Sequence, residues 1–164
     1  MSDGKKRLDT VRLQEIVQGF WRSGALMAAV ELGLFTAVSK GSGTFTEVAV
    51  ALNITETNAE RLMTACVTLE LLELGDDGRM NNAPDVERFL VEGSPRYAGP
   101  WMLFTKPSWN DWGILSEKLK SKTVDRLGKY GEFTVEKARA YHKATYSIGM
   151  GAGRRFEPRP RGVG

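Results

Sequence analysis

The chain has 164 residues, of which 41% are hydrophobic and 26% charged, with one cysteine, one histidine and a formal net charge of +3. That composition belongs to an ordinary globular domain and excludes a disordered, collagen-like or disulfide-rich chain. Arg22 and Glu31 interrupt the most apolar stretch before it reaches the ~20 residues of a membrane span. Lys5, Lys6 and Arg7 lead into polar residues rather than the apolar core of a signal peptide, so a cytoplasmic location with no membrane contact is expected.

From Val11 to Val38 apolar residues recur with helical spacing: Leu13, Ile16, Val17, Phe20 and Trp21, then Leu26, Ala29, Val30, Leu32 and Leu34. A face this wide must bury against more than one partner, which puts the segment at the centre of the domain or against a second copy. Gly41, Ser42 and Gly43 end the pattern. Thr44 and Glu47 then have the spacing of a capping box, opening a short helix through Leu52. Asn53 ends it, and Thr55 caps a second helix with core positions Leu62, Met63, Cys66, Leu69 and Leu72.

Leu71 to Leu74 and Arg79 to Asn81 flank Gly75-Asp76-Asp77-Gly78, whose Asp-Gly pair suits a tight hairpin. A helix-turn-helix followed by a small hairpin is a winged helix. Pro84 opens another helix through Phe89 and Leu90. An aromatic stretch comes next with Tyr97, Trp101, Phe104, Trp109 and Trp112, helical from Trp109 to Leu119. A last helix is expected from Thr134 past Tyr146, and beyond Gly149 the glycines and prolines provide nothing that could form a core. The fold class is therefore mainly α, with one small β-hairpin flanked by long helices.

Several residues invite a chemical role. Cys66 sits in an apolar helical pattern, and a buried structural thiol is favoured over a nucleophile paired with His142. Gly149, Gly151 and Gly153 alternate as in a cofactor loop, but a nucleotide fingerprint needs a buried strand before it and a helix after it. The helix-turn-helix raises a DNA-binding transcriptional regulator as the alternative function. From Glu56 to Glu73, however, four glutamates face the single Arg61, and phosphates repel such an acidic segment. The basic pI of 9.1 comes from residues 154–164, where four arginines face Glu157. The rest of the chain sums to zero, so no nucleic-acid partner is expected.

Ala28-Ala29-Val30-Glu31-Leu32-Gly33-Leu34-Phe35 resembles the first long helix of the acetylserotonin, hydroxyneurosporene and caffeate type S-adenosylmethionine-dependent O-methyltransferases. The subsequent segments come in a similar order: the capped helix from Thr44 to Leu52, the leucine-rich turn from Leu69 to Leu74, the wing at Asp77, Gly78 and Arg79, the aromatic segments Pro100 to Phe104 and Trp109 to Trp112, and the helix from Tyr141 to Gly153. The resemblance covers about residues 8–156 and implies a winged-helix-like dimerisation region. Residues 157–164 read as a disordered or out-of-frame tail. The resemblance further implies a homodimer that, in an intact enzyme, helps enclose a small-molecule acceptor during methyl transfer to a hydroxyl. Phe20, Trp21, Trp109, Asn110 and Trp112 match positions near the acceptor pocket or the dimer contact. The family's cofactor half, with its strand, glycine-rich turn and histidine base, has no counterpart in these residues. No catalytic, cofactor-binding or metal residue is therefore assigned. S-adenosylmethionine belongs to the intact family enzyme, and His142 does not match the base.

Overall fold

A computed structural model describes residues 9–121 and 134–155. The tail at 157–164 lies outside the described residues. The elements run α1 (Val11–Leu32), α2 (Leu34–Ser39), α3 (Phe45–Leu52), α4 (Glu56–Thr68), β1 (Leu72–Leu74), β2 (Met80–Asn82), α5 (Pro84–Phe89), α6 (Gly99–Leu103), a 3-10 turn at Lys106–Ser108, α7 (Trp109–Gly113), α8 (Leu115–Lys120) and α9 (Val135–Arg155). The mainly α class with one hairpin is as the sequence predicts.

The expected helix from Val11 to Val38 is two helices. Gly33 adopts a left-handed φ of 75°, and its N–H meets the carbonyls of Ala29 and Val30. A residue without Cβ enters this conformation at little cost and ends a helix there. The break matters because it swings α2 into the interior, where Leu34, Phe35 and Val38 are all buried. In the same buried cluster as Phe35 lie Val48 of α3, Met63 and Cys66 of α4, Leu72 of β1 and Val86 of α5.

Local signals set the next elements. The Thr44 hydroxyl accepts from the Glu47 N–H at 3.3 Å, and the Glu47 carboxylate accepts from the Thr44 N–H at 3.1 Å. Thr55 caps α4 through the Asn58 N–H at 3.3 Å. The second helix stops earlier than the periodicity suggests, at Thr68. Glu70 turns left-handed with φ of 58°, and the Leu71 N–H returns to the Cys66 carbonyl at 2.8 Å. Leu72 thus reaches the core from a strand, not from the helix. The antiparallel hairpin pairs Leu72 with Asn82, Glu73 with Asn81 and Leu74 with Met80. Gly78, with φ of 76°, supplies the left-handed residue of its loop.

One further expectation changes. The helix from Trp109 to Leu119 is broken at Ile114, just after Gly113, into α7 and α8. The last helix, expected from Thr134 past Tyr146, runs to Arg155 through its glycines. Glycine lowers helix propensity by only ~1 kcal/mol each, which a long helix can absorb. α9 is held to α6 by an edge-on contact of Tyr141 with Phe104, whose ring stacks on Trp101, and by the buried Ala144.

Candidate functional site

The apolar face of α1 changes sides along the helix. At ~100° per residue, Leu26, Ala29 and Val30 occupy one side, and that side enters the core. Leu13, Ile16, Val17 and Phe20 fall roughly opposite, with Trp21 at their edge. On the core-facing side of the same turns stand Glu15, Gln18 and Arg22. The first half of α1 therefore cannot extend the domain's own core. Its stripe is exposed in the protomer, with Ile16 at 64%, Val17 at 69% and Trp21 at 62%. The second half of α1 is central to the domain, as one of the two expectations had it, and the first half presents an uncovered face.

Where the stripe meets the rest of the chain, a groove of about 530 Å³ opens between α1 and α7, lined by Phe20, Ser23, Met27, Thr105, Trp109, Trp112 and Gly113. The structure thus brings together Phe20, Trp109 and Trp112 of the five residues singled out from the sequence. Trp21 packs its ring against Phe20, with centroids 5.4 Å apart, and is not part of the groove's lining. Asn110 is exposed on α7 and is not among the lining residues.

Sequence reasoning missed Ser23 and Met27, although they follow Phe20 by three and seven residues and share its face. It also missed Gly24: a methyl group there would touch the Trp109 indole at 3.5 Å, so the bare backbone of α1 is the surface on which Trp109 lies. The turn carrying Trp109 is pinned to α1 by the ion pair of Lys106 with Glu31. Lys118 of α8 pairs with Asp111 of α7 at 2.8 Å.

The groove's chemistry is aromatic walls with few polar groups. The Ser23 hydroxyl donates to the Gly19 carbonyl at 3.2 Å, leaving its oxygen free to accept. The Thr105 hydroxyl and the indole N–H groups of Trp109 and Trp112 are the other polar side-chain groups of the lining residues. Such a lining suits a flat apolar molecule oriented by one or two hydrogen bonds.

Other titratable groups serve the fold. Burial pushes the Cys66 thiol up to about 12, which keeps it protonated and unreactive. His142 lies exposed on α9, its ring edge-on to Tyr146. Among the described residues no group of His, Cys, Asp or Glu side chains could hold a metal ion. Gly149, Gly151 and Gly153 lie inside α9, so no strand-to-helix turn presents their amides. No helix of the described residues is long and apolar enough to cross a membrane.

The second helix of the helix-turn-helix is less acidic than the segment from Glu56 to Glu73 suggests. Because α4 ends at Thr68, only Glu56, Glu60 and Arg61 are charged within it. The hairpin is the more hostile element to DNA. It carries Glu73, Asp76 and Asp77, while its one cation, Arg79, donates to Glu47 at 2.6 Å and to the Gly41 carbonyl at 2.7 Å. The guanidinium holds the Glu47 carboxyl below its ordinary value of 4.5. A wing whose arginine is turned inward offers phosphates no cation.

A helical body with one hairpin and an unburied apolar helix face defines a module built for association. Residues 14–91 match the model of the O-methyltransferase dimerisation domain, so the chain carries that domain. It is 39% identical over 101 residues to a 3-hydroxy-5-methyl-1-naphthoate 3-O-methyltransferase from Streptomyces sahachiroi, covering 59% of this chain and 29% of that protein. It is 35% identical over 109 residues to the N,N-dimethyltransferase OxyT from Streptomyces rimosus, covering 66% and 31%. The chain thus matches less than a third of the length of these relatives. In fold it resembles the structure of an O-methyltransferase family protein from Burkholderia thailandensis, with a TM-score of 0.72, 23% identity, and coverage of 92% of this chain and 45% of that one.

Proposed function

We propose that this chain is the homodimerisation region of an S-adenosylmethionine-dependent methyltransferase and forms one wall of its acceptor site. The observation that carries the reading is the stripe of Leu13, Ile16, Val17, Phe20 and Trp21, which the chain's own core cannot use. Five large side chains at half exposure or more would contribute on the order of 1 kcal/mol apiece when covered. Doubled by two-fold symmetry, this falls within the range of the cost of association. The family model supports the same assignment, since it spans most of α1.

The acceptor role rests on the groove. Phe20 belongs to both the stripe and the groove, so an acceptor bound against Trp109 and Trp112 would sit beside the dimer contact. The acceptor fitting such walls is a planar aromatic with a polar substituent within reach of Ser23 or Thr105, in keeping with the naphthoate named for the S. sahachiroi relative. In the intact enzyme this region would contribute orientation and exclusion of water, while deprotonation and the methyl donor belong to other residues. A hydroxyl is the expected methyl acceptor.

The test is titration of the purified chain with a hydroxynaphthoate, following tryptophan fluorescence, alongside calorimetry with S-adenosylmethionine. Saturable quenching that is lost in Trp109→Ala, with no heat from the methyl donor, supports the reading. Tight donor binding by this chain contradicts it, and absence of quenching removes the acceptor-wall role.

A further inference from the structure

The stripe on α1 limits how a second copy can lie on it. Resting on the homodimer reading above, we propose that the dimer is built on an antiparallel pair of α1 helices crossing between Ile16 and Val17, with Leu13 of each protomer packed against Phe20 of the other.

Two observations lead there. The free part of the stripe ends at Phe20, because the next positions on the same face are already covered: Trp109 lies on Gly24, and Met27 lines the groove beneath α7. A parallel partner helix would follow this face into α7 and collide with it. An antiparallel partner leaves that end and carries its own α7 to the opposite end of the pair.

The second observation is the pattern itself. A two-fold contact must map the patch onto itself. The set Leu13, Ile16, Val17 and Phe20 does so under one antiparallel register, which sets 13 opposite 20 and 16 opposite 17. A register one helical turn further along would place Leu13 against Gly24, where the Trp109 indole already sits. In the favoured register Trp21, at the stripe's edge, lies beside the partner's first turn, where the Gln14 amide donates to the Thr10 hydroxyl at 2.9 Å in each protomer.

The register has a direct chemical readout. Two helices in contact lie with axes ~8–10 Å apart, so residues next to the crossing point come within the ~7 Å Cα separation a disulfide allows. Two copies of residue 13, or of residue 20, are offset by seven residues, ~10 Å along the axis, and cannot join. The native thiol does not interfere, since Cys66 is buried.

The experiment makes single variants Leu13→Cys, Val17→Cys and Phe20→Cys in the full chain and oxidises them with copper phenanthroline. All three sites are exposed in the protomer, and far-UV circular dichroism checks that each variant folds. Val17→Cys should form a covalent dimer by itself. Leu13→Cys and Phe20→Cys should each remain unlinked alone and form a linked heterodimer when mixed after subunit exchange. Self-linking of Leu13→Cys would overturn the proposal in favour of a parallel pair. Dimers by light scattering that link at none of these sites would overturn the α1 pairing while leaving homodimerisation standing. Monomers at every concentration would overturn both.

Discussion

Replacing Val17 by aspartate separates the two roles of α1. Val17 is 69% exposed in the protomer and touches none of the core cluster, so the substitution should alter protomer stability by no more than ~0.5 kcal/mol. In the dimer each copy loses ~1 kcal/mol of apolar transfer and buries a carboxylate with no partner, at a cost of several kcal/mol. Two copies together should weaken association by at least ~4 kcal/mol, a roughly thousandfold rise in dissociation constant. Sedimentation equilibrium gives that constant, and thermal melts at a protein concentration low enough to dissociate the parent give the protomer's stability. An aspartate variant that dimerises as tightly as the parent, or one whose isolated protomer no longer folds, would refute the reasoning.

Beneath this surface, Phe35→Ala, at a fully buried position, should cost ~3–5 kcal/mol in urea unfolding, whereas Phe20→Ala should leave the dissociated protomer almost unchanged. Gly33→Ala should destabilise by ~1–2 kcal/mol, because its φ of 75° places a Cβ in a disfavoured conformation. Cys66, with its thiol raised to about 12, should resist an aromatic disulfide reagent in the native chain and react on unfolding. Glu47 has a folded pKa below 4.5. Its stabilisation is therefore fully present above that value and lost as pH falls through the lower, folded one. The urea midpoints of the parent and Glu47→Gln should differ at neutral pH and converge in acid.

Capping and turn chemistry made the middle of the chain legible. Thr44, Glu47, Asn53, Thr55 and Gly78 act through contacts within a few residues, so their spacing alone locates α3, the start of α4 and the hairpin. Periodicity did less well at helix ends. Apolar spacing continues through Gly33 and from Met63 to Leu72, because buried residues of successive elements all point to one core, whichever element carries them. The left-handed turns at Gly33 and Glu70 break the helices without breaking the pattern. The candidate site was half visible for a related reason. Phe20, Trp109 and Trp112 stood out as large aromatics, but that Gly24 forms the bed for Trp109 depends on where α7 lands. The reversal of the apolar side of α1 was legible in principle, by separating the helical phases of residues 13–21 from those of 26–30.

If a second copy of this chain covers the first half of α1, sedimentation velocity of the unmodified chain across a concentration series tests that covering most directly. The expected result is a species of twice the 18.2 kDa chain mass that dissociates on dilution and is lost in Val17→Asp. A sharp monomer at all concentrations, with the stripe still accessible to a hydrophobic dye, would contradict it.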